Sequence, residues 1–115
     1  MASSARIDHE LSAAAQAWND GNEGKARVCA RRAVALAAES WLARLAKPLW
    51  RGDAMEHLRR IQQQEAFPLF VRQAAERLST AVTRRHEAPF TCDPITDACL
   101  IIEHLTAGAS DHRLL

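Results

Sequence analysis

Between Ala26 and Trp41 the sequence sets Ala26, Cys29, Ala30, Ala33, Leu36, Ala37 and Trp41 three and four residues apart, the repeat of one face of an α-helix. Most of these side chains are small, so neighbouring helices can approach the backbone closely. The stretch therefore reads as the central helix of a bundle, running from about Glu23 to Ala46, with Trp41 filling its wider end and Pro48 closing it. No part of the chain shows the every-second-residue alternation of a half-buried strand.

The same period recurs on both sides. Ile7, Leu11, Ala14 and Trp18 mark a first amphipathic helix that starts after Ser3 or Ser4 and ends near Asn19, where "NDGNEG" supplies turn residues. Asp53 and Glu56 have the form of a capping box, and Met55, Leu58 and Ile61 continue an apolar face behind them. Phe70, Val71, Ala74, Leu78, Ala81 and Val82 keep helical spacing to about Arg85, either as a separate segment or as the third helix continued through a kink at Pro68. After the loop "HEAPFTCDP", Asp93 and Pro94 form an N-cap and first turn. Ile95, Ala98, Ile102 and Leu105 then line a last helix that Gly108 can stop.

At 115 residues this is one domain, with frayed ends expected at about 1–4 and 109–115. The expected fold is an all-α, antiparallel up-and-down four-helix bundle whose third helix is broken near Pro68. A coiled-coil rod is excluded by the Pro48 and Pro68 interruptions.

Apolar runs such as Ala98 to Ile102 fall far short of the ~20 residues that span a bilayer, and "MASSARIDHE" lacks the pattern of a secretion signal. A cytoplasmic address and no membrane are expected, and the three cysteines, Cys29, Cys92 and Cys99, are expected to be reduced. Net charge is only +1, yet nine basic residues face four acidic ones from Glu23 to Arg60, while Glu87 to Asp111 carries five acidic residues and no Lys or Arg. That asymmetry fits a partner surface, and it fits equally two packed helices of opposite charge.

Specific chemistry is sparse. In "DGNEGKARVCARRA" the glycines Gly21 and Gly24 are too close for a phosphate-binding loop, Lys25 is followed by Ala26 rather than Ser or Thr, and a helix rather than a strand comes before. The start of a helix still attracts anions, and Lys25 and Arg27 would assist. Arg27 and Arg31, one turn apart, are expected to face away from the alanine stripe, either as solvated side chains or as donors to phosphate or carboxylate. Arg84, Arg85 and His86 in "TRRHEAPF" put two cations and an imidazole at a helix end, where they can bind a ligand or simply offset the helix dipole. His86, Cys92, Cys99 and His104 lack metal-ligand spacing, Cys92 near His86 lacks an oxyanion signature, and His57 reads as a partly exposed side chain. No catalytic residue, cofactor or metal is assigned.

The glycine turn after the first helix, the alanine-rich "ARVCARRAVALAAESWLARL", the segment "HLRRI" and the final "DPITDACLIIEHL" together resemble the HEPN superfamily of small helical bundles. The resemblance spans most of the chain. It implies a four-helix bundle, commonly dimeric, that accompanies a nucleotidyltransferase or acts as an RNase in toxin and defence systems. The RNase branch carries an Arg followed by His after four to six residues. Here Arg84 and Arg85 directly precede His86, and Arg77 stands eight intervening residues away. The resemblance therefore implies a non-catalytic member with the basic second helix and Arg84 to His86 as contact surface. Two functions are expected from these readings: a non-enzymatic module that forms a homodimer or binds a protein partner, or alternatively a nucleotide- or RNA-binding relative, with RNase activity only if its active site is displaced.

Overall fold

A computed structural model describes residues 2–80 and 93–110, with side chains over 4–80 and 93–107. Five helices account for most of it: α1 (Ala2–Asn19), α2 (Glu23–Ala43), α3 (Ala54–Gln63), α4 (Leu69–Ser79) and α5 (Pro94–Ser110). No strand occurs among the described residues.

The small-residue stripe does what its period predicts. Ala26, Ala30, Ala33 and Ala38 are fully buried, and α2 packs against all four other helices, most extensively α1 and α5. The α1–α2 turn is closed by Gly21, whose φ of 80° is a conformation that disfavours any side chain. Asn22 then caps α2 by accepting from the Lys25 N–H at 3.1 Å. Asp53 caps α3 and Asp93 caps α5 in the same way, accepting from the N–H groups of Glu56 and Thr96.

Several boundaries differ from the sequence reading. The second helix ends at Ala43, before Pro48, because the Arg44 and Leu45 N–H groups reach back only three residues, to Trp41 and Leu42, and tighten the last turn. The third pattern is two helices. The break begins at Gln64, whose backbone is extended, and Pro68 serves as the N-cap residue of α4. Gly108 does not stop α5, which runs to Ser110. α4 ends at Ser79, where Thr80 turns to extended backbone, short of the expected Arg85, and residues 81–85 lie outside the described residues.

The core is aliphatic around Leu58, Ile61, Leu78, Ile101 and Leu105, and aromatic at one end. There the rings of His57, Trp50, Trp41, Phe67 and His104 form a chain with neighbouring centroids 5.4 to 6.5 Å apart, linking α3, the α2–α3 connection, α2, the α3–α4 turn and α5. Two residues placed on inward faces by spacing point outward instead: Met55 and Phe70 remain 44% and 53% exposed. Phe70 sits in the first turn of α4, where Phe67 already occupies the core from the preceding turn.

Candidate functional site

The cationic residues singled out by sequence separate into three groups. Lys25 is exposed at the start of α2. Arg84, Arg85 and His86 lie outside the described residues, as does Cys92. Arg27 and Arg31 do not project outward as their spacing suggested: Arg27 is buried, and both turn toward the end of α4. The Arg27 Nη1 donates to the Arg77 carbonyl at 3.3 Å, and the Arg31 Nε donates to the Leu78 carbonyl at 2.8 Å. A helix leaves its last carbonyls without partners, so two guanidinium groups one turn apart on α2 meet a need created by α4.

Beside them Arg77 donates from Nε and Nη2 to the same oxygen of Asp97, at 3.0 and 2.9 Å. Asp97 is only 2% exposed. Burial pushes its carboxyl above the usual aspartate range, and the hydrogen bond and charge of Arg77 pull against that rise. Burial, and then the neighbouring charge of Arg27, lowers Arg31 from the ordinary arginine value. These residues form a partly buried joint between α2, α4 and α5.

A second constellation was not recognised in the sequence. His57 is 1% exposed, a correction to its reading as a surface side chain. The period predicts this once His57 is included, because Ala54, His57, Leu58 and Ile61 share one face of α3. Its Nδ1 accepts from the Trp50 indole N–H at 2.9 Å. An indole N–H can only donate, so Nδ1 carries no proton and the neutral ring holds its proton on Nε2. Nε2 has no hydrogen-bond partner among the described residues, and the Glu39 Oε2 stands over it at 3.5 Å.

These groups line a cleft of about 270 Å³ whose walls are Leu42, Ala43, Pro48 and Trp50. Arg51 and Gly52 complete it. Gly52 has a φ of 150°, and a Cβ there would meet the Glu56 side chain at 2.5 Å, so this stretch of the cleft is bare backbone by necessity. The proton on Nε2 leaves no lone pair there for a metal or for general-base work. Among the described residues no three of His, Cys, Asp and Glu gather into a metal-binding group.

Cys99 faces a groove of about 420 Å³ between α1 and α5, next to Trp18, Asp93 and Glu103. Burial first, and then Glu103 and Asp93, raise its thiol above the ordinary range, which suppresses the reactive thiolate. No helix among the described residues is long and apolar enough to cross a membrane.

The chain matches no protein-family model, no curated protein and no solved structure.

Proposed function

We propose that this protein is a non-enzymatic helical interaction module, HEPN-like in layout, that acts as a homodimer or docks on a protein partner such as a nucleotidyltransferase. In this reading α3 and α4 together stand for the broken third helix of an up-and-down four-helix bundle, and the setting is cytoplasmic. The observation that carries it is the pair Leu69 and Phe70, adjacent in the first turn of α4 and 59% and 53% exposed. Two neighbouring large apolar side chains left in water lose the stabilisation that burial would supply, which favours a cover from another molecule. Just before them in the chain, Ala66 and Phe67 line an apolar cleft with Trp41, Leu45 and the exposed Leu49.

The nucleotide- or RNA-binding alternative is weaker. It rests on Arg84, Arg85, His86 and the basic second helix, and on that helix the guanidinium groups of Arg27 and Arg31 are engaged by the α4 carbonyls.

Light scattering coupled to size exclusion tests the module. The wild-type chain is expected at dimer mass, and Leu69→Asp and Phe70→Asp are expected at monomer mass with an unchanged helical circular dichroism spectrum. A wild-type chain that stays monomeric at high concentration and captures no protein partner would refute it.

A further inference from the structure

The cleft over His57 has a donor whose direction and protonation are set from below. The Trp50 indole N–H on Nδ1 commits Nε2 to carrying the hydrogen, and that hydrogen makes no hydrogen bond among the described residues. An unsatisfied polar group in a buried position costs free energy that a ligand can recover. Beside it, at 3.5 Å, is the Glu39 carboxylate, which only accepts. A fixed, buried donor and an exposed acceptor therefore stand side by side above apolar walls.

This pairing selects its complement. An anion would meet the Glu39 charge beside Nε2, although Arg51 would attract it from elsewhere on the lining. A cation or metal would find Glu39 but be refused by the proton on Nε2. A trans peptide bond points its N–H and C=O in opposite directions and cannot address both groups. A planar neutral group whose acceptor oxygen and N–H lie on one edge addresses both. We propose that the Glu39–His57 cleft binds a small ring compound through such an amide edge, its oxygen accepting from the His57 Nε2–H and its N–H donating to Glu39, with the ring held against Trp50 and Pro48. Glu39 is the gate as well as the acceptor: its side chain is 57% exposed, so it can turn aside to admit the oxygen to Nε2.

Two ring types share this edge, an exocyclic primary carboxamide and a ring lactam, and nicotinamide and uracil represent them. The experiment follows the Trp50 indole N–H signal of ¹⁵N-labelled protein while each is added, with nicotinic acid, whose carboxylate has no N–H, as the comparison. Nicotinamide, uracil or both are expected to shift the signal to saturation, and whichever does so identifies the ring type, while nicotinic acid leaves it in place. Glu39→Ala is expected to weaken binding roughly ten- to a hundredfold, the loss of a hydrogen bond to a charged acceptor, and Glu39→Gln, which keeps an acceptor oxygen, to weaken it less. Glu39 is a surface side chain, so circular dichroism of both variants should match the wild type. Absence of a saturable shift with both ring compounds up to about 10 mM, beyond the weak end of specific binding, would overturn the proposal. An equal response to nicotinic acid, or undiminished binding by Glu39→Ala, would do the same.

Discussion

The Trp50 indole nitrogen lies 2.9 Å from Nδ1 of His57, and both side chains are buried, at 7% and 1% exposure. Trp50 belongs to the connection after α2 and His57 to α3, so this bond fixes how α3 docks on the central helix. Replacing Trp50 with Phe keeps an aromatic ring but strands the Nδ1 acceptor in the interior. We expect a loss of about 1–3 kcal/mol in urea unfolding. In long-range ¹H–¹⁵N spectra the wild-type imidazole should show a proton on Nε2 and none on Nδ1. A proton on Nδ1 would contradict the assigned bond.

The end of α4 supports a comparison between two similar residues. Arg31 donates at 2.8 Å to the Leu78 carbonyl and, more distantly, at 3.5 Å to the Thr80 carbonyl. Arg27 makes one longer bond at 3.3 Å and leaves its buried Nε without a partner among the described residues. Substituting each by Met preserves most of the apolar stem. Arg31→Met should cost roughly 1.5–3 kcal/mol, because it strips a charged donor from α4. Arg27→Met should cost less than about 1 kcal/mol, since the unsatisfied Nε disappears with the bond. Equal losses in thermal or chemical denaturation would show that the two guanidiniums are not the unequal caps described above.

What spacing could and could not reveal follows from these examples. Period alone found the five apolar stripes, the caps at Asp53 and Asp93 and the buried face of α2, because each depends on residues close in sequence. Arg27 and Arg31 looked outward because their role is set by α4, some fifty residues further along the chain. His57 was misplaced because an imidazole was counted as polar, although its position on the Leu58 and Ile61 face marks it as inward. Phe70 was misplaced for the opposite reason: it is greasy and in register, yet Phe67 fills the core position first. The Glu39–His57 cleft joins residues from two helices and the connection between them, a relationship that no local pattern encodes.

Asp97 makes stability depend on pH in an unusual direction for a paired carboxylate. Its folded value is raised above the unfolded one by burial, so the folded chain holds this proton more tightly. The contribution of Asp97 is therefore fully present below the unfolded value and is lost as pH rises through the folded value. Glu56 runs the other way: hydrogen bonds from Arg60 and then Arg59 lower its carboxyl, and the stability it adds is lost as pH falls through that lowered value. Subtracting the profile of Asp97→Asn isolates the first effect. The wild type should gain on the Asn variant as pH falls from about 7 to about 4, toward the ordinary aspartate value. A difference that is flat, or that grows toward neutral pH, would show that the Arg77 bond outweighs desolvation.

Close packing around α2 supplies the last test. Ala30 and Ala33 are completely buried beneath the neighbouring helices, and a close-packed interior leaves little room there for a larger side chain. Leucine at either position must push a helix outward or take a strained rotamer, at a cost of about 1–3 kcal/mol. The same substitution at Ala43, exposed at the end of α2, should stay within about 0.5 kcal/mol of wild type. Chemical denaturation of Ala33→Leu and Ala43→Leu side by side distinguishes crowding from a change in helix propensity, because both variants place the same residue in the same helix. If the two lose equal stability, the small side chains are not what brings the helices together, and the central position of α2 needs another cause.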